Sequence, residues 1–257
     1  MSVAPEVEVK APAATIGSSA LEGGTCVVTG ASCGIGKAIA VALASAGATV
    51  CVVARRREEL EATAIRANCP GRIVPYPADL VDDEQVAALV KALLARDGGL
   101  DVLVHSAGTI ALGDLETASI DDLDRQYAVN VRAPYLLTQA LLPALRTREG
   151  QIVFINSTVG LAARANVSQF AATQHALKAI ADSLREEINP HGVRVMTVYP
   201  GRTATPRQAR IHAMEGRPYP PERLIQPEDI ASVVLNALTL PRSTELTDVR
   251  VRPMLKH

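Results

Sequence analysis

Aromatic side chains are scarce in this chain, with no Trp, two Phe and five Tyr in 257 residues. Its core has to be assembled from Ala, Val, Leu and Ile, which suits a parallel sheet covered by helices on both faces. Charge of one sign is also lacking: 26 Lys and Arg offset 27 Asp and Glu, a formal net charge of −1. That balance gives no general attraction to nucleic acid or to an anionic membrane. No apolar run is long enough to span a bilayer. The N-terminal MSVAPEVEVKAPAATIG carries Glu6 and Glu8 and no apolar signal core, so a cytoplasmic location is expected. Cys26, Cys33, Cys51 and Cys69 form no CxxC pair and no zinc-ligand pattern, and are expected to be reduced thiols with no metal.

What is present is a regular alternation. Residues 1 to about 22, rich in Pro, Ala and Val-Glu alternation, are expected to be a disordered tail. Apolar runs at 25–29, 49–54, 72–76, 101–105, 151–156, 193–198 and 249–251 predict strands. Helical spacing predicts helices over 35–46, 58–68, 83–96, 120–146, 167–189 and 227–240, with Pro143 ending or kinking the fourth. No linker and no repeat divides the pattern. The expected fold is one doubly wound α/β domain over 23–257, with a parallel sheet of about seven strands and right-handed crossovers. Residues 203–224, with Pro206, Pro218, Pro220 and Pro221 and several Arg, are expected to form a substrate loop over the strand ends.

The sharpest local pattern is Thr29-Gly30-Ala31-Ser32-Cys33-Gly34-Ile35-Gly36, between a strand and a helix. Glycines there permit a tight turn and a close approach of backbone to pyrophosphate, and the helix start supplies free N–H donors. A thiolate at Cys33 would face phosphate charge, which argues against a nucleophilic role. The next strand ends in Ala54-Arg55-Arg56-Arg57. An Arg at that point accommodates the 2′-phosphate of NADP, where a carboxylate would bind the ribose of NAD. Arg55 is the first candidate and Arg56 the second.

From the glycine turn onward, the chain resembles the short-chain dehydrogenase/reductase superfamily, of NADP type. The resemblance implies that Asp79 and Leu80 contact the adenine and that Ser106, Ala107 and Gly108, in His105-Ser106-Ala107-Gly108, line the cofactor. It implies that Asn130 holds a water of the proton relay and that Ser157 is the active-site Ser. It also implies that Pro200, Gly201, Thr203 and Thr205 meet the nicotinamide end, and that helices 120–146 and 167–189 build a homodimer or homotetramer.

The departure is equally specific. Phe170 lies 13 residues after Ser157, where the family carries its Tyr acid, and Gln174 stands at the family's Lys. Losing a positioned general acid costs about 10²–10⁴ in rate. Thr173, His175, His105, Tyr199 and Tyr135 are the residues that remain to be considered as substitutes, each with a packing role as the ordinary alternative, and Lys178 is no shifted replacement. Leu161, Arg164 and Phe170, with the 203–224 loop, are expected to shape the pocket. Three functions are then open: an atypical NADP(H) oxidoreductase acting on a small carbonyl or alcohol, a non-redox cyclase- or dehydratase-like enzyme in the same pocket, or a catalytically silent partner subunit.

Overall fold

The computed structural model describes residues 21–66, 72–97 and 99–254. Seven strands form one parallel sheet: β1 (Thr25–Thr29), β2 (Thr49–Ala54), β3 (Ile73–Pro77), β4 (Val102–His105), β5 (Gln151–Ile155), β6 (Arg194–Pro200) and β7 (Asp248–Val251). Their order is β3-β2-β1-β4-β5-β6-β7. The winding reverses between β1 and β4, which opens a crevice at the carboxyl ends of those strands.

The aliphatic runs explain the sheet. Residues alternate between faces along each strand. Cys26, Val28, Val50, Val52, Val102 and Val104 point into one core, with Ile39 and Leu43 of α1 (Gly34–Ser45). Val27, Cys51, Val53, Leu103, Ile152 and Phe154 point into a second core on the other face. α2 (Arg57–Arg66) follows β2. α3 (Asp83–Asp97), α5 (Ala133–Thr147) and α6 (Ser168–Ile188) bring Leu89, Leu141 and Leu177 to the second core. Burial of two continuous aliphatic layers supplies the main stabilisation, roughly 25 cal/mol per Å² of apolar surface removed from water.

The helix expected over 120–146 is interrupted, but not at Pro143. α4 (Ile120–Tyr127) passes into a π-helical turn at Ala128–Arg132 and then into α5, which runs through Pro143 without ending. Pro134 explains the position of the break. It has no N–H to give the Asn130 carbonyl, so the α-type bond there cannot form. The winding widens by one residue instead, with the Ala133 N–H bonded to the Ala128 carbonyl.

Of the expected N-terminal tail, residues 1–20 lie outside the described residues, as do Cys69 and the 67–68 end expected for α2. Leu21 and Glu22 belong to the folded body. The Leu21 N–H donates to the Ala46 carbonyl at 2.9 Å, and Glu22 pairs with Arg72 at 3.0 Å. Within the 203–224 loop, α7 (Pro206–Met214) is a nine-residue helix capped by Thr205, whose Oγ1 accepts from the Gln208 N–H. α8 (Pro227–Leu238) packs on α1.

Candidate functional site

The glycine turn is shaped by backbone clearance. Gly30 and Gly34 have φ of +66° and +57°, a region that L side chains rarely adopt. A Cβ on Gly30 would lie 2.6 Å from the Ala107 nitrogen, and one on Gly36 would lie 2.5 Å from the Gly30 carbonyl oxygen. Three backbone segments therefore meet with no room for side chains. Cys33 precedes α1 in an extended conformation and makes no side-chain cap, and the first turn of α1 has no acidic residue. The first turn of α1 thus supplies no carboxylate of its own to its positive end, the arrangement that favours an anion. Thr205 stands over it, its Cγ2 3.0 Å from where a Gly34 Cβ would be.

At the end of β2 the three arginines separate. Arg56 bonds Glu59 through Nε at 2.7 Å, and Arg57 pairs with Glu61 at 3.7 Å. Arg55 is exposed and has no ion pair among the described residues. The Glu59 carboxyl is held below its usual range by the Arg56 hydrogen bond, with a further bond from Ser32. Ser32 is thus engaged by Glu59 on the outer side of the glycine turn. Asp79 accepts the Val81 N–H at 3.2 Å in a tight local turn after β3.

The end of β4 is fastened to β1 by Thr29. Its hydroxyl donates to the Val104 carbonyl and accepts from the N–H groups of Ser106 (3.1 Å) and Ala107 (3.2 Å). The π turn aims Asn130 at the same loop. Its Oδ1 accepts the Thr109 N–H at 2.7 Å, and its Nδ2 donates to the Thr109 carbonyl at 2.9 Å and to Thr173 Oγ1 at 3.1 Å. Asn130 therefore links the β4 loop to α6.

Ser157 follows β5 and opens a 3-10 turn (Thr158–Gly160), where its Oγ accepts a 3.4 Å bond from Val159. Asn156 anchors this turn to α6 by donating to the Gln174 carbonyl at 2.9 Å. Phe170 and Gln174 are both buried on α6, together with Thr173. Thr173 donates its hydroxyl proton to the Phe170 carbonyl at 2.8 Å, a backbone-satisfying role.

The residues considered as substitute acids are engaged elsewhere. His105 is buried, stacked on Phe154 at 5.0 Å and bonded through Nε2 to Thr138 at 2.8 Å. Burial pushes its pKa down from 6.5 to about 3, so it is a neutral core histidine. Tyr199 is fully buried and donates to Asp248 at 2.8 Å; burial and that carboxylate push its phenol well above its usual range. His175 bonds its own helix at the Ala171 carbonyl, Lys178 pairs with Asp182, and Tyr135 is exposed on α5.

The arginines noted in the 203–224 segment acquire their partners only in the fold, where α7 carries them back to the crevice. Arg207 donates to the Gly108 carbonyl at 2.6 Å and has no carboxylate partner among the described residues. Burial lowers its pKa, and proximity to Cys33 places it against the glycine turn. Glu215, at the end of α7, receives Arg202 at 3.2 Å, Arg217 at 3.5 Å and Arg164 at 3.8 Å. The signal for these contacts is tertiary; the sequence displays only the density of Arg in 202–217. Among the described residues no helix is long and apolar enough to cross a membrane, and no group of three His, Cys, Asp or Glu is placed to hold a metal.

Comparison with known proteins matches the sequence and the fold. The family model for short chain dehydrogenase fits residues 24–216. An uncharacterized oxidoreductase of Staphylococcus aureus strain USA300 is 31% identical over 229 residues, 89% of this chain and 96% of the relative. A metagenomic short-chain oxidoreductase solved in complex with NADP is 36% identical, with a TM-score of 0.80 over 92% of this chain and 100% of that one. An alcohol dehydrogenase of Thermococcus sibiricus, complexed with 5-hydroxy-NADP, is 27% identical with a TM-score of 0.82, covering 91% and 98% of the two chains. A 3-ketoacyl-(acyl-carrier-protein) reductase of Brucella melitensis, complexed with NADH, is 27% identical with a TM-score of 0.80, covering 90% and 97%.

Proposed function

Because the chain belongs to the short-chain dehydrogenase family, we propose that it is an oxidoreductase that binds NADP(H) and acts on a small carbonyl or alcohol with a proton-transfer apparatus unlike the family's. The observation that carries the cofactor reading is the glycine cradle under an uncapped α1, with Arg55, which has no ion pair among the described residues, beside it. NADP forms are bound by two of the compared structures and NADH by the third, so the choice rests on Arg55. In this reading residues 23–257 are one cofactor-binding domain, located in the cytoplasm, and 203–224 is its substrate loop.

The dinucleotide, when bound, supplies or takes up the hydride. The protein's own part begins with the α1 N–H groups and Gly30, Ser32, Cys33, Gly34, Ile35 and Gly36, which receive the pyrophosphate, helped by Arg207. Arg55 receives the 2′-phosphate, with Arg56 committed mainly to Glu59. Asp79 and Leu80 meet the adenine. Ser106, Ala107, Gly108, Pro200, Gly201, Thr203 and Thr205 line the rest of the crevice. Ser157 orients the substrate oxygen. Phe170 and Gln174 stand in the places of the family's Tyr and Lys and offer neither an acidic proton nor a charge. The proton comes from water, Ser157 or the substrate itself. Exposed Ile120, Tyr127 and Tyr135 on α4 and α5 support assembly into a homodimer or homotetramer through 120–146 and 167–189.

The test is calorimetry with NADPH and NADH, followed by substrate-dependent loss of NADPH absorbance in the native chain and in F170Y/Q174K. Preference for NADPH with activity in the native chain is the expected result. Activity that arises only on restoration would overturn the native oxidoreductase reading. Conversion of substrate at constant absorbance would point to non-redox chemistry.

A further inference from the structure

The arginines around Glu215 exceed what holding α7 in place requires. Arg164 comes from the loop after Ser157, Arg202 from just beyond β6, and Arg217 from the turn after α7. All three address one carboxylate, leaving two positive charges uncompensated by it. The charges acting on Arg202 are Glu215, which favours its cationic form, and Arg217 and Arg164, which oppose it. A clasp joining α7 to the sheet needs one arginine for one carboxylate. Three in one place repel one another, a cost that a purely structural clasp would avoid. Arg202 also has a buried Nη1 with no hydrogen-bond partner among the described residues. Buried donors of this kind are ordinarily satisfied, and leaving one open costs about 1–3 kcal/mol.

The position bears on the substrate. Ile155 pairs with Val198 in the sheet, so Ser157 emerges beside Pro200. Arg202 follows two residues later, within about 7 Å of chain. The side chains of Arg164 and Arg217 are 50% and 43% exposed, so their guanidinium groups are open to an entering molecule. Glu215 itself shows what the cluster is shaped to hold, because the three groups already converge on a carboxylate.

We propose that the substrate is an oxo or hydroxy acid whose carboxylate is received by Arg164, Arg202 and Arg217 in place of Glu215. This rests on the oxidoreductase reading for the reacting carbonyl, but the anion site stands on its own geometry. A substrate carboxylate that meets Arg202 at two points would also engage the Nη1 that Glu215, bonded through Nη2, leaves open.

The test uses the NADPH-loaded full chain. Calorimetry is run with 4-oxopentanoate, 5-oxohexanoate and 6-oxoheptanoate, each against its methyl ester. The tightest acid is expected to bind about tenfold better than its ester. R164Q and R217Q each reduce that preference, and added salt weakens it. E215Q acts in the opposite direction and strengthens acid binding, because it frees the three cations. A merely structural cluster would lose affinity in all three variants. Thermal melts of each variant establish that it is folded, and the exposed R164Q decides the matter if E215Q is not. Equal binding of acids and esters throughout the series, or an acid preference untouched by R164Q, overturns the proposal. Failure of NADPH to bind removes the oxidoreductase reading instead, and the same acid–ester comparison on the cofactor-free chain then tests the anion site alone.

Discussion

The two ends of the crevice are built from different materials. At the β1–β2 end, ligand contacts would come from backbone N–H groups, glycines without room for a Cβ, and an arginine with no ion pair among the described residues. At the β5–α6 end everything depends on side-chain identity, and there Phe170 and Gln174 are buried without an ionisable group between them. A backbone cradle follows from the fold and is shared with any chain that folds alike. A proton donor has to be present as a particular atom, and one substitution removes it while the scaffold stays intact. Binding and chemistry can therefore part company within one pocket.

The strongest way to break the comparison is Gly30→Ala. The new Cβ meets Ala107 backbone at 2.6 Å in a left-handed conformation, so NADPH binding should vanish and stability fall by at least ~2 kcal/mol. Calorimetry and urea melts check both. Arg55→Ala sharpens the cofactor side: NADPH affinity should drop about tenfold or more while NADH affinity holds, and Arg56→Ala should do much less. An equal loss for both nucleotides would remove the 2′-phosphate role from Arg55.

A third change probes the end of β4 through pH. His105 has a folded pKa of about 3 against 6.5 when unfolded. Between those values the unfolded chain binds more protons, so stability falls as pH drops through that window. The share due to His105 is about 2 kcal/mol between pH 7 and pH 5. His105→Asn should flatten that part of the slope in urea melts and introduce no new inflection in any pH–rate profile. The smallest effect is expected for Arg207→Gln, a several-fold loss of affinity of roughly 0.5–1.5 kcal/mol, equal for NADPH and NADH because both carry the pyrophosphate.

The fold was readable because valine-rich runs and glycine placement are local signals. Strands β1 and β2 and the α1 start follow directly from Thr25–Gly36 and Thr49–Ala54. The break in the long helix was expected at Pro143 and lies instead before Pro134, whose missing N–H falls opposite Asn130. Both prolines lack that hydrogen, and local sequence does not rank them. In the site, the three consecutive arginines after β2 look alike in sequence. Position after the strand ranked Arg55 first, and the placement of Glu59 and Glu61 on α2 adds the physical reason by pairing with Arg56 and Arg57. The convergence of Arg164, Arg202 and Arg217 on Glu215 joins residues up to 53 apart in the chain, a separation that no periodicity encodes.

The widened turn at Ala128–Arg132 has a mechanical consequence. It stores one residue of slack between two helices, and the Asn130 bonds to Thr109 and Thr173 lie at that point. Removing a single residue there would restore ordinary winding and rotate α4 by about 100° relative to α5. Gln126, which bridges Ala111 and Gln169, would swing off both. The spacing between the front and rear halves of that helix is thus an alignment key, set by a missing hydrogen on one proline.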